Sequence, residues 1–309
     1  MRDRAARRLP GFVLAVPAWL WLTAFFVVPF LQIAWFSLGE KPGMFGTHSN
    51  AVMSLERYAE AFSPTFFTIF RATLWMSVLG TIACLLIALP AAYFMALKVP
   101  AHRRGLLVAL VMVPYWTSFL IRTIGWKVIL SSEGALAGFL TDVGLIGDPH
   151  DLLNTRGAVL LGLIYNYLPL MILPLYVAFD RVDSALGEAS KDLGAGRVRT
   201  FFQVTLPLAR PGIIAGVILV FIPMMGDYVT PAVLGGAKGT MVGSLIASQF
   251  LTAQNWALGS AMAVVLILLT MLVVVLAITL LSGVGWLVHR RSKLVIGTET
   301  VETKKVAIA

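Results

Sequence analysis

Six stretches of this 309-residue chain are nearly free of charge and long enough to cross a bilayer. Residues 12–36 and 72–97 carry no charged side chain. Residues 105–121 are apolar, and the run extends past Arg122 towards Leu130. Residues 157–179 follow, then 212–234 with Asp227 as the single charge, then 257–288 with none. A helix spanning the hydrocarbon core needs about 20 apolar residues. One such run could be a buried helix of a soluble fold, but six together predict an all-α integral membrane protein with six transmembrane helices. The expected organisation is a cytoplasmic N-terminus (1–11), a membrane domain (12–288) and a cytoplasmic C-terminal tail (289–309), whose last residues are polar and without a helical stripe. The first run is too long for a signal-peptide core and no A-x-A-like site closes it, so it is expected to stay as an uncleaved span.

Composition agrees with this pattern. Hydrophobic residues make up 59% and charged residues 13%, too few to give a soluble fold of this size a polar skin. Cys84 is the single cysteine, so no internal disulfide is available. The net charge of +9 would suggest nucleic acid in a soluble protein. Here the basic residues sort by side. The N-terminus, the loop at 98–104, the loop at 181–211 and the C-terminus hold 17 Lys and Arg; the opposite side holds Lys41, Arg57, Arg156 and Lys238, which is 4. By the positive-inside rule both termini are cytoplasmic, and no nucleic-acid partner is needed to explain the charge. Trp35, Trp126 and Trp256 near outer ends and Trp286 near an inner end suit the interfaces, whereas Trp75 and Trp116 lie deeper.

Catalytic machinery is missing from the pattern. No phosphate-binding G-x-x-x-x-G-K-[ST] loop occurs; the run from Gly235 to Thr240 lacks the spacing. His48, His102, His150 and His289 are scattered, no residues have metal-ligand spacing, and no nucleophile–base pair stands out. The expectation is a transport component that is not an enzyme, with no catalytic or metal-binding residues and no cofactor of its own. Its energy would come from an ion gradient or from a partner protein.

The loop from Asp180 to Pro211 is not an ordinary linker. Residues 184–193 favour a helix, with Asp183 or Ser184 as N-cap. Gly194 and Gly196 would end it, and 197–206 could form a second short helix stopped at Pro207. Ala189, Ser190, Gly194 and Ala195 are small enough to press into a groove on another protein. The order Glu188-Ala189-Ser190, three residues, Gly194, nine residues, Val204-Thr205-Leu206-Pro207 resembles the EAA motif of type I ABC importer permeases, with Ser190 in place of the second alanine and Val204 in place of isoleucine. The whole chain is most similar to the spermidine/putrescine subfamily, through Asp192-Leu193-Gly194-Ala195, the run from Leu206 to Gly216, and Gly226-Asp227-Tyr228-Val229-Thr230-Pro231 followed by Leu234-Gly235-Gly236.

This resemblance implies the type I ABC importer permease fold in a bacterial inner (plasma) membrane. It makes 181–211 a coupling loop docked on a cytoplasmic ABC ATPase, through Glu188, Ala189, Ser190, Gly194, Leu206 and Pro207. ATP and Mg would bind that ATPase, present in two copies. It further implies a second, similar permease and a periplasmic or extracellular substrate-binding protein. The cargo would be a polyamine or a similar small cation. An importer of amino-acid-like compounds, phosphonate or ferric iron, an autonomous gradient-driven transporter and a membrane enzyme are the competing readings. The coupling loop speaks for the ATP-driven importer class.

Asp227 lies 15 residues beyond Gly212, roughly 22 Å along its span. A carboxylate there is costly unless it faces a wet cavity or a partner. Pro223, Gly226 and Pro231 break the helix around it, as happens where a route is lined. Two other readings stay open: an ion pair with Arg71 or Arg122, or a span that ends early and leaves Asp227 at the outer interface. Tyr228 beside it, Tyr115 and Trp116 after Pro114, and Tyr165 and Asn166 before Pro169 are further candidates to meet a protonated amine, by cation–π contact or hydrogen bonding. Helix packing is the alternative for each. Gly212 and Gly216 form a small-xxx-small pair suited to helix contact.

Overall fold

The computed structural model describes residues 11–43, 46–144 and 152–279. Among these every regular element is helical, and the one β pairing is an isolated bridge between Glu40 and Ser49. The N-terminal arginines, Asp148, Asp151, the inner end expected for the last span, and the basic tail lie outside the described residues. The chain divides into two compact units, Met1–Val264 and Val265–Ala309. The described part of the second unit is helix only, to Thr279.

The first apolar stretch is α1 (Gly11–Leu22), running through a π turn at Thr23–Val27 into α2 (Val28–Phe36). After the short α3 (Glu56–Ala61) comes α4 (Pro64–Leu97), 34 residues or about 51 Å long. It begins eight residues before the apolar run at 72. Ser63 Oγ accepts the Phe66 N–H at 3.3 Å and Pro64 opens the first turn, so a cap overrides the hydropathy boundary.

One expected span is bent and another is broken. The third comprises α5 (Ala101–Met112), a 3₁₀ turn at Val113–Trp116 and α6 (Phe119–Leu130), which leads to α7 (Ala135–Asp142). Its halves, Ala101–Trp116 and Phe119–Asp142, are bent by 82°. Pro114 has no N–H to continue the ladder, and Thr117 and Ser118 are extended. α8 (Arg156–Asp180) is a single helix capped by Thr155. Past α9 (Ser184–Asp192), α10 (Arg197–Thr200), a π turn at Phe201–Thr205 and α11 (Leu206–Leu208), the chain turns by 68° into α12 (Arg210–Gly226). The fifth span was expected to run to Leu234, but its helix stops at Gly226. Asp227 is extended, α13 (Val229–Leu234) starts afresh, and α14 (Val242–Leu251) and α15 (Trp256–Thr279) follow. Four helices are thus long and apolar enough to cross a membrane, and six spans result if each bent pair is counted as one.

The core joins α4, α8 and α12. Cys84, Ala88 and Ala92 of α4 meet Leu163, Met171 and Leu175 of α8 and Val220 and Met224 of α12, all buried. Small residues facing large ones let the backbones approach, which matters because lipid tails leave little hydrophobic drive between helices. Gly212 and Gly216 do make the expected helix contact. A Cβ on Gly212 would strike Ala178 and the Pro174 carbonyl, and one on Gly216 would lie 2.9 Å from Met171 Sδ.

Loops that the charge pattern assigns to one side meet one another. Arg104 donates to Asp180 at 2.6 Å on the basic side. At the other end Arg156 donates to the Lys238 carbonyl at 3.2 Å and Lys41 to the Ala253 carbonyl at 2.7 Å.

Candidate functional site

The 181–211 loop is a helix–turn–helix. Asp183 Oδ1 accepts the Ala185 N–H at 2.9 Å and starts α9. At the other end Gly194 has φ +83°, its N–H donates to the Lys191 carbonyl at 2.8 Å, and the Ala195 N–H donates to the Ser190 carbonyl at 3.0 Å. This pair of bonds is a Schellman stop, which needs the left-handed conformation that glycine adopts without strain. A Cβ on Gly194 would meet nothing within 4 Å of this chain, so backbone conformation alone requires glycine here. Gly196 instead is the extended N-cap of α10.

The second helix was expected to stop at Pro207. It continues to Leu208, because the π turn before it bonds the Leu206 N–H to the Phe201 carbonyl. The wider turn lets the chain take a proline without breaking. Large apolar side chains of this segment stand in the open, among them Leu186, Leu193, Val198 and Phe202, with Leu193 89% exposed. Glu188 and Ala189 are exposed beside them, and Glu188 has no ion pair among the described residues. Ser190 is half-buried and its hydroxyl pairs with Thr200 Oγ1 at 3.1 Å. Leu206 and Pro207 are half-buried where the chain turns into α12.

The second candidate region surrounds the break after Gly226. Asp227 is only 6% exposed. Its Oδ1 accepts the N–H groups of Val229 at 2.9 Å and Thr230 at 3.1 Å, and its Oδ2 accepts the Thr230 hydroxyl at 2.5 Å. The two N–H groups are orphan donors of a helix start, so the carboxylate caps the first turn of α13. Neither Arg71 nor Arg122 pairs with it among the described residues, which removes the ion-pair reading. The helix does end at Gly226, as the early-ending reading expected, and Asp227 is buried within the chain. The break is wedged from several sides. Gly243 of α14 abuts the carbonyls of Gly226 and Asp227. Thr73 Oγ1 of α4 accepts the Val242 N–H at 2.9 Å, and the Tyr167 hydroxyl of α8 reaches the Pro223 carbonyl at 3.5 Å.

The remaining candidates divide by burial. Asn166 is 1% exposed and donates to Thr123 Oγ1 at 3.1 Å. Tyr115, Trp116, Tyr165 and Tyr228 are exposed, Trp116 by 77%. Tyr165 meets Trp126 edge-on at 5.4 Å. The Arg122 guanidinium lies 5.3 Å from the Tyr115 ring and 5.8 Å from Phe119. This aromatic surface already carries a cation. Sequence reasoning missed Thr230, although an Asp just before an apolar stretch is a helix-start signal. It also missed Arg122 on Tyr115 and the Ser190–Thr200 pair, which local spacing could not announce.

A family model described as "Binding-protein-dependent transport system inner membrane component" matches residues 2–293. The chain is 42% identical over 254 residues to the spermidine/putrescine transport system permease protein PotB of Haemophilus influenzae, covering 82% of this chain and 88% of that one. It is 38% identical over 246 residues to PotB of Escherichia coli K12, covering 80% and 88%. Among solved structures it is similar to a bacterial alginate ABC transporter in complex with an alginate pentasaccharide-bound periplasmic protein. The TM-score is 0.66 with 15% identity, covering 86% of this chain and 92% of that one. This last likeness concerns the fold.

Proposed function

The chain belongs to the family of binding-protein-dependent transport system inner membrane components, and from that premise we propose that it is the permease subunit of an ATP-driven importer of polyamines such as spermidine and putrescine. It is a multi-pass membrane protein and a transport subunit, not an enzyme; ATP hydrolysis belongs to a separate ATPase.

The observation that carries the reading is the α9–Gly194–α10 segment. A short helix, stopped by a glycine-dependent turn, presents Leu186, Leu193, Val198 and Phe202 to the outside beside the exposed Glu188. Exposed apolar side chains clustered on one loop mark an interaction surface. We take its partner to be the ABC ATPase, in two copies that bind ATP and Mg, with Glu188 meeting basic groups there. Both termini would then be cytoplasmic, in agreement with the basic bias. A second, similar permease is supported by the first span, Ala15–Phe36, whose apolar window has no residue buried in this chain. A substrate-binding protein on the outer side completes the assembly.

For the route, the exposed rings of Tyr115, Trp116, Tyr165 and Tyr228 offer cation–π contact to a passing ammonium. The guanidinium already resting on Tyr115 supports that use. Asp227 and Asn166 would act from behind these rings. Asp227 supplies negative field and holds α13, and Asn166 fixes α8 to α6 through Thr123.

The test is uptake of labelled spermidine and putrescine by cells that carry this chain with its neighbouring transport genes and no other polyamine importer. Uptake that requires this chain, ATP and the binding protein is expected. Polyamine-independent growth and binding of an unrelated solute by the binding protein would overturn the substrate.

A further inference from the structure

One of the loop's two departures from the EAA pattern is Ser190, which replaces alanine. That hydroxyl has a partner. Ser190 Oγ lies 3.1 Å from Thr200 Oγ1, ten residues on, and Thr200 is 6% exposed. The bond joins the last turn of α9 to the end of α10. We infer that this hydroxyl pair is the clasp through which α9 moves α10, and that Ser190 and Thr200 are positioning residues for coupling ATP hydrolysis to transport. The inference rests on reading α9 as the ATPase-docking helix.

What lies beyond the clasp gives it a purpose. Thr200 is followed directly by Phe201, whose ring meets Tyr93 of α4 edge-on at 5.2 Å and lies 6.4 Å from Phe179 of α8. Tyr93 and Phe179 also meet each other edge-on, at 5.9 Å. Three rings thus join the start of the π turn to the inner ends of the two helices that form most of the core. Edge-to-face rings at these distances attract and hold orientation.

The direct route from α9 to α4 is open by contrast. A cavity of about 170 Å³ lies there, lined among others by Tyr93, Lys98, Glu188, Lys191, Arg197 and Phe201. A polar cavity of this size has room for water, so α9 and α4 meet through few direct side-chain contacts there. Residues 181–183 tie the start of α9 to α8, and a push on α9 reaches α10 through its own turn at Gly194 and through Ser190–Thr200. The turn is a backbone link that allows α9 to pivot, whereas the hydroxyl pair fixes its angle to α10.

Ser190→Ala and Thr200→Val each remove one hydroxyl with little change in volume. The importer is reconstituted in vesicles with its ATPase, second permease and binding protein, and spermidine uptake and ATP hydrolysis are measured on the same sample. The ATPase is expected to remain bound. ATP hydrolysed per spermidine imported is expected to rise about three- to ten-fold in each variant, the scale of one lost neutral hydrogen bond. The double variant should be no worse than either single one, because both remove the same bond. The exchange Ser190→Thr with Thr200→Ser restores two hydroxyls and should bring the ratio back to within about two-fold of the parent. An unchanged ratio in both single variants, or additive effects in the double, overturns the clasp. If Thr200→Val does not accumulate, Ser190→Ala and the exchange variant decide, since alanine is the residue the motif carries there. Glu188→Arg separates the two levels. Normal ATPase binding and uptake in that variant would remove the docking reading itself, whereas loss of binding with an unchanged ratio in the clasp variants removes only the clasp.

Discussion

Asp227 shows how one side chain can carry two demands. Its carboxylate accepts three hydrogen bonds that start α13, and its charge is the single negative one in the 212–234 run. The two roles separate by substitution. Asp227→Asn keeps a side-chain oxygen for the Val229 and Thr230 N–H groups, and asparagine caps about as well as aspartate. Thermal unfolding in detergent is expected to move little, while spermidine uptake falls several-fold because the negative field is lost. Asp227→Ala removes cap and charge together and is expected to cost about 1–3 kcal/mol of stability as well. Neutralising Arg71 or Arg122 should rescue neither, since neither pairs with the carboxylate. Normal uptake by stable Asp227→Asn protein would reduce the residue to its capping role.

At the scale of elements, hydropathy located the helices and local chemistry set their ends. The Ser63 cap lengthened α4, and Pro114 with two extended residues split the third span. Helix contact can be tested at Gly212, where α12 crosses α8. Gly212→Leu would drive a side chain into Ala178 and the Pro174 carbonyl. The backbone carbonyl cannot step aside, so overpacking should destabilise by about 1–3 kcal/mol. The readout is the unfolding temperature of the purified protein, with Gly187→Leu as control, because a Cβ at Gly187 meets nothing within 4 Å. Equal stability of the two variants would mean that the helices are not held at this crossing.

For the molecule as a whole, the testable property is sidedness. Cys84 is fully buried, so the native chain should be silent to thiol reagents and single cysteines can report. Arg199→Cys, exposed in the 181–211 loop, should react only with a reagent that reaches the cytoplasm. Glu133→Cys, exposed after α6, should react with an impermeant reagent from outside. The inverse pattern would overturn the orientation and, with it, the docking of α9 on a cytoplasmic ATPase.

The sequence by itself determined the class of molecule. Long uncharged runs have no stable home outside a bilayer, so the membrane class is written in composition and order, and the uneven placement of lysine and arginine sets the expected sidedness. The EAA-type spacing is equally local: a capped helix, a left-handed glycine and a second helix follow from residues within about thirty positions. Tertiary structure decided the rest. Which partner satisfies a buried polar group depends on residues far away in sequence, as with Thr73 and Val242 or Asn166 and Thr123. The loop after α2 and the turn before α15 are joined in the same way, by Lys41 to Ala253 and Trp256 to Thr47. From the sequence Asp227 reads as a charge that needs a wet route or a counter-ion, because hydropathy counts only its charge. Once the helix breaks at Gly226, the nearest unsatisfied donors are backbone N–H groups two and three residues on, and they take the carboxylate before any arginine can.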